Sequence, residues 1–241
     1  MSAKPWRELK RTARWLAVDK DSGVTVIPAR NEDQALALRQ RIEADLRLPL
    51  WVVHRIDRDT SGVVLFALDA DAHRQLSGAF EHARVRKSYL AFTAGQPPAD
   101  SGWVDLAVHS ARKGKMRPAY SGEVGAKAAR TEYHVEARRA VGEVAVARVR
   151  CHPQSGRQHQ IRVHLRSLGC PILRDALYGS VSLRAPWDAL PIQRLALHAA
   201  RLELPPLLDL PAHVIDAELP ADLRALDDWL MAPRDGHESA A

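Results

Sequence analysis

Cysteine is scarce: Cys151 and Cys170 are the only two in 241 residues. Two cannot build a disulfide framework, and no four-cysteine zinc spacing is present. Buried thiols in a reducing compartment are the default reading. No apolar run follows Met1-Ser2-Ala3-Lys4, and no stretch approaches the ~20 apolar residues of a spanning helix. A cytoplasmic protein with no membrane partner is therefore expected. No Gly-rich element leading into Lys-Ser or Lys-Thr is there to cradle nucleotide phosphates. His159 and His164 are five apart, so a helix does not set them on one face as metal ligands, and Cys151 and His152 add nothing at a proper spacing. Neither metal nor cofactor is expected. Internal repeats and heptads are missing too.

What is present suits a globular chain of one domain or two small lobes, with 46% hydrophobic residues to fill a core. The formal charge is +6, unevenly spread. Residues 203–241 hold nine acids and two bases, which leaves the rest of the chain at +13. From Arg148 to Arg174, both included, there are six arginines and no acid. A basic body with an acidic tail suits a surface for a polyanion. Plain solubility accounts for the same numbers.

Two stretches carry the chemistry. His54-Arg55-Ile56-Asp57-Arg58-Asp59-Thr60-Ser61-Gly62 lies between the apolar runs Trp51-Val52-Val53 and Val63-Val64-Leu65-Phe66-Ala67-Leu68, which read as buried strands. A charged segment is thus held between two pieces of core. Asp57, flanked by Arg55 and Arg58, is expected to stay ionised, fit to be a nucleophile, a base, a metal ligand or half of an ion pair. Asp59 finds no further ligand at a convincing spacing. The second stretch is Gly156-Arg157-Gln158-His159-Gln160-Ile161-Arg162-Val163-His164. Residues 158–168 have helical periodicity closed by Gly169, with Ile161, Leu165 and Leu168 apolar and Arg162 and Arg166 sharing a basic face.

The remaining elements follow from periodicity and punctuation. Residues 1–14 read as a basic lead-in segment, then 15–18 and 24–27 as a hairpin around Lys20-Asp21-Ser22-Gly23. Residues 33–46 have helical spacing. Asp69-Ala70-Asp71 caps a helix to about His82. Residues 87–94 read as a strand, 109–130 as an irregular basic loop, 129–138 and 144–151 as an antiparallel pair, and 193–204 as a strand. Residues 222–231 suggest a short helix, and 232–241 a flexible tail.

His54 to Gly62 resembles the catalytic motif of the RluA family of RNA pseudouridine synthases. Lys87-Ser88-Tyr89 is similar to that family's Lys-x-Tyr element, and Thr131-Glu132-Tyr133 to its Thr-Glu-Tyr strand. Gly156 to His164 resembles its Gly-Arg-x-His-Gln-Ile-Arg-x-His element, followed by Gly169-Cys170-Pro171-Ile172-Leu173-Arg174-Asp175 and Tyr178-Gly179. The match spans about residues 15–204. Asp19-Lys20-Asp21-Ser22-Gly23 departs from the family's usual Asn-Lys-Pro-x-Gly opening, and Gln154-Ser155 stands where Thr-Gly is usual.

The resemblance implies an α+β fold with a mixed, mainly antiparallel central sheet and flanking helices. Its catalytic domain would span 15–231, with no separate N-terminal RNA-binding domain. It implies an isomerase acting on structured RNA, ribosomal or transfer, with large-subunit ribosomal RNA preferred. No obligate protein partner is expected, and the chain reads as a monomer. Asp57 is implied as the catalytic carboxylate, and Arg162 is the candidate for a bidentate salt bridge to it. Tyr89 is implied to pack on the base and assist proton traffic. Arg55 resembles the residue that fills the gap left by an extruded base. Arg58, Arg112, Lys113, Lys115, Arg157 and Arg166 are the candidate RNA contacts. A non-catalytic RNA-binding protein would not need Asp57, and a glycosidase would need a second carboxylate, for which Asp59 is the nearby candidate.

Overall fold

The computed structural model describes residues 4–28, 37–141, 144–179 and 190–233. In chain order the elements are β1 (Trp6–Arg11), β2 (Trp15–Lys20), α1 (Leu38–Leu46), β3 (Trp51–Val52), β4 (Ser61–Ala67), α2 (Ala70–Glu81) and β5 (Arg86–Ala94). Then come β6 (Ser101–Asp105), β7 (Val108–Ser110), a single 3-10 turn (Arg112–Gly114), β8 (Met116–Pro118), β9 (Arg130–Val141) and β10 (Val144–Pro153). The chain continues with α3 (Gln160–Ser167), β11 (Leu197–Leu204), β12 (His213–Asp216) and α4 (Ala221–Met231).

Ten strands form one sheet along the path β1-β2-β4-β11-β5-β10-β9-β6, with β3 beside β4 and β12 beside β11. Every pairing between these strands is antiparallel except β4 with β11. The expected α+β class and mainly antiparallel sheet are what the chain adopts. All seven residues of β4 are buried because both faces are covered. Val63, Leu65 and Ala67 meet Ala72, Leu76 and Ala79 of α2, while Val64 and Phe66 meet Leu38 and Ile42 of α1. A third cluster joins β5 and β10 to Ile161 and Leu165 of α3 and to Leu223, Leu226 and Leu230 of α4. Tyr89 packs against both the β4–α1 cluster and the β5–β10 cluster, so it stands where the halves of the sheet meet.

The β4–β11 seam is closed at the backbone. Gly62 has φ +112°, and a Cβ there would lie 2.2 Å from the carbonyl oxygen of Ala199, its register partner. Only glycine tolerates both the conformation and the approach. Gly62→Ala is therefore expected to cost on the order of 3 kcal/mol, from strain and from parting the two strands. At this chain length that lowers Tm by about 6–12 °C, which a thermal melt reads directly.

Several elements differ from expectation. The first hairpin lies earlier: β1 pairs with β2, so residues read as a basic lead-in form an edge strand. Three cations of the 1–14 segment pair with acids of the fold: Lys4 with Asp45 (3.2 Å), Arg7 with Asp19 (3.3 Å) and Arg14 with Asp69 and Asp71 (2.9 and 2.6 Å). The apolar run Trp15-Leu16-Ala17-Val18 was legible as a strand, but its partner strand, β1, is polar and carries no apolar period. The loop 109–130 contains the short hairpin β7–β8. The start of the expected 33–46 helix, at 33–36, and the tail from 234 lie outside the described residues, as does the side chain of Lys113. The helix after Gly156 begins at Gln160 and is buried nearly all round. Arg162 and Arg166 therefore do not share a solvated face: Arg162 is buried and Arg166 exposed.

Candidate active site

Asp57 sits in the turn that enters β4, and the β2 end of the first hairpin holds that turn. Lys20 is wholly buried and donates to the carbonyls of Asp21, Val24 and Arg58 at 2.8, 2.8 and 2.9 Å. The amide of Gly23 donates to Arg58 O at 2.9 Å, and Ser22 Oγ to Asp59 O at 2.7 Å. Asp21, standing where proline is usual, donates its amide to Pro5 O at 3.0 Å, a bond proline lacks the hydrogen to make. That departure ties β1 to the turn. On the other side Leu65 N donates to His54 Nε2 at 2.9 Å, and the His54 ring stacks on Phe80 at 4.4 Å. Burial, with Lys87 adding, pushes His54 down to about 3, so its imidazole is neutral and supports the turn.

Arg162 reaches the turn from α3. The expected two-point bond to Asp57 is not what forms. Its Nε and one terminal nitrogen both bind Asp175, each at 2.8 Å, and the other terminal nitrogen reaches Asp57 Oδ2 at 3.2 Å. The planar fork thus meets Asp175 side-on while its third edge is left for Asp57. Asp175 also accepts the amides of Leu177 and Tyr178, at 2.9 and 3.0 Å, and its side chain is fully buried. The Tyr178 ring lies 5.0 Å from the guanidinium carbon. Asp175 is spent, whereas Asp57 keeps Oδ1 without a protein hydrogen bond among the described residues and is 22% exposed to the cleft.

His159 completes the surround. It precedes α3 with φ +54°, a left-handed conformation in which histidine is enriched. Its Nδ1 is 2.8 Å from the Tyr178 hydroxyl, which accepts the amide of Met116 at 2.7 Å. If the tyrosine proton goes to Nδ1, Nε2–H faces Asp57 Oδ2 at 4.0 Å. Burial holds His159 below its ordinary pKa, although Asp57 pulls the other way. β8 is thereby joined to Asp57 through two side chains.

Asp57, His159 and Arg162 line a cleft of about 920 Å³, in the range that encloses a small ligand. Asp57, Tyr89, Arg162, Arg55, Arg58 and Arg157 all border it. Burial, with Asp57 adding, raises the Tyr89 hydroxyl far above its ordinary pKa, so it is a donor rather than a phenolate. Arg55 and Arg157 are exposed at its border, and Arg157 Nε donates to Ala128 O at 3.1 Å. Arg58 is anchored by Nε on Gly23 O at 3.1 Å. Arg112, Lys115 and Arg166 are not among the described residues that border this cleft. Arg112 and Lys115 are exposed beside the β7–β8 hairpin. His164, which shares its motif with Arg162, is a core residue bonded to Thr131 Oγ1 and Leu106 O, both at 2.9 Å. Among the described residues no three His, Cys, Asp or Glu side chains converge as a metal site.

Asp175, Tyr178 and His159 are the neighbours to which sequence reading gave no role. Asp175 and Tyr178 fall 13 and 16 residues after Arg162, past the end of the helix, and no periodicity links them to it. The signal available was the motif itself, which includes both.

Comparison with known proteins agrees with the geometry. A family model described as RNA pseudouridylate synthase matches residues 14–167. The dual-specificity RNA pseudouridine synthase RluA of Escherichia coli K12 is 36% identical over 189 residues, covering 78% of this chain and 82% of that protein. Its counterpart in Salmonella typhi is 36% identical over 203 residues, 83% and 88% of the two chains. Among solved structures, human RNA pseudouridylate synthase domain containing 1 superposes with a TM-score of 0.75 at 26% identity, covering 91% of this chain and 86% of that one. Human RNA pseudouridylate synthase domain containing 4 gives 0.72 at 26% identity and 92% of each. Sheet, motifs and relatives agree, and the chain belongs to the RluA family of RNA pseudouridine synthases, isomerases that act on RNA.

Proposed function

We propose that this chain converts specific uridines of structured RNA to pseudouridine through the Asp57 carboxylate, with large-subunit ribosomal RNA as its main substrate and a transfer-RNA arm as the alternative. The reaction breaks the bond from C1′ to N1, turns the uracil, and joins C1′ to C5, whose proton is lost while N1 gains one. Nothing is oxidised, and no outside group is transferred. The observation that carries the reading is the division of labour on Arg162. One carboxylate, Asp175, is consumed in holding the guanidinium, and the other, Asp57, keeps an unspent oxygen open to the cleft. An arginine fixed from behind orients Asp57 and keeps it ionised without using up its reactive oxygen.

Uracil must leave its stack to reach Asp57. Tyr89, at the floor between two cores, packs on the extruded base, and its hydroxyl or a water it holds passes on the C5 proton. Arg55, exposed at the border, occupies the vacated stack. Arg58 and Arg157 contact the backbone of the same nucleotide region, while Arg112, Lys113, Lys115 and Arg166 contact phosphates farther out. A cleft reading one compact stem-loop has no need of long sequence. Dual specificity, by which the RluA relatives are described, is the behaviour such local reading would give if carried to this chain. We place the protein in the cytoplasm as a cofactor-free monomer, in keeping with its two buried free thiols.

The purified chain, incubated with unmodified ribosomal and transfer RNA in excess chelator, should produce pseudouridine at a small number of positions. No new pseudouridine in either pool would refute the activity. Mapping in cells lacking the protein separates the two substrates: loss confined to transfer RNA would overturn the ribosomal preference and leave Asp57 in place.

A further inference from the structure

Two buried lysines stand near the cleft, and they are satisfied very differently. Lys20 spends all three N–H bonds on carbonyl oxygens. Lys87 is only 7% exposed, yet among the described residues its ammonium makes one bond, to Ser155 O at 2.9 Å. No carboxylate lies within ion-pair reach of it among the described residues. The charge that acts on it is Arg157, and the group that feels it is the neutral His54. Burying an ammonium with two unused donors and no counter-charge is costly. The cost is recovered where a ligand supplies the missing acceptors and the negative charge. Lys87, Ser155 and Arg157 all border the same cleft as Asp57.

Position narrows the ligand. Lys87 and Tyr89 are alternate residues of β5, so their side chains leave the same face of the sheet ~6.6 Å apart along the strand. A base packed on Tyr89 places the sugar–phosphate of the same nucleotide about that far away. The loop from Pro153 to Arg157 borders the same cleft and supplies both the carbonyl that Lys87 bonds and a second cation, Arg157. Neither cation meets an acid there among the described residues. We propose that Lys87, assisted by Arg157, is the binding site for the phosphodiester adjoining the extruded uridine, and that it fixes how deeply the nucleotide enters. This rests on the pseudouridine synthase reading of the cleft. Burial, with Arg157 adding, lowers Lys87 to about 8, and a bound phosphate would draw it back up.

The test uses a short synthetic stem-loop carrying a uridine that the purified chain is seen to modify. Its 5′ or 3′ phosphodiester is replaced, one at a time, by an uncharged methylphosphonate, with a linkage several nucleotides away as control. One flanking replacement should weaken binding to the wild-type protein by about tenfold, and the distant one should not. In Lys87→Met the same replacement should cost less than twofold, because the cation that senses the charge is gone. Lys87→Arg, which keeps the charge, should retain most of the penalty. A penalty equal in wild type and Lys87→Met, or none at either flanking linkage of the wild type, overturns the proposal. The wild-type series stands alone should Lys87→Met fail to fold: a penalty at one flanking linkage, kept in Lys87→Arg, supports the site. Failure of the broader reading is separate and visible, since then the chain modifies no uridine at all.

Discussion

Asp57→Asn is expected to lower pseudouridine formation by about 10⁴-fold or more, a loss of some 5 kcal/mol of transition-state stabilisation, while leaving the fold and RNA affinity nearly intact. Asn preserves the shape of the side chain and still offers an oxygen to Arg162, which reaches Asp57 through one bond of 3.2 Å. The two bonds to Asp175 remain, so Arg162 keeps its counter-charge and its place. Removing a negative charge from a cleft that receives a polyanion does not weaken binding electrostatically, and affinity should stay within a few fold of wild type or rise slightly. What disappears is the unspent carboxylate oxygen beside Arg162. Single-turnover assays at saturating protein, read beside filter-binding isotherms on the same RNA, separate the two quantities. Turnover near wild type in Asp57→Asn would remove Asp57 from the chemistry and leave the cleft to a different group. Parallel loss of binding and turnover would instead make Asp57 a structural residue of the turn.

Much of this site was legible from the chain, because each motif lies on a short element whose period is clear. Val63 to Leu68 declares a buried strand, and the charged turn before it must then emerge at the strand's end, where Asp57 is found. Tyr89 lies on a strand with an equally plain pattern, and Asp69 caps α2 as its position before Ala70 suggested, accepting Ala72 N at 2.8 Å. The failures share a cause. β1 is a polar edge strand that leans on β2 for its geometry, so its own composition announces only charge. α3 was expected to be amphipathic because arginine and histidine count as solvated side chains. Here Arg162 and His164 are buried by partners from Asp175, Thr131 and Leu106, which come from other parts of the chain. Periodicity does not see such partners. The geometry of Arg162 was misjudged for the same reason: one guanidinium was expected to serve one carboxylate, and a second, thirteen residues on, had taken the fork.

The second large effect is expected at that hidden carboxylate. Asp175→Ala removes the acceptor of four hydrogen bonds, two from Arg162 and two from the amides of Leu177 and Tyr178. The guanidinium stays buried with only Asp57 beside it, and breaking one side of a buried pair costs about 3–5 kcal/mol. With an m-value of about 2–3 kcal/mol/M, the urea midpoint should fall by roughly 1–2 M. Activity should fall further than stability explains. In the molecules that remain folded, the fork of Arg162 is free to turn toward Asp57 and grip both oxygens, converting the reactive carboxylate into a closed salt bridge. Tyr178 also loses its amide anchor, and with it the hydroxyl that sets His159. Assays at low temperature, where the variant is folded by circular dichroism, should show kcat reduced at least a hundredfold with RNA affinity retained. Asp175→Glu, whose added methylene does not fit the fully buried site, should restore neither stability nor rate. Asp175→Asn keeps an acceptor for the two amides but not the charge, and should regain part of the stability with little of the rate. A variant series in which rate follows folded fraction alone would show that Asp175 holds the fold and has no separate part in directing Arg162 to Asp57.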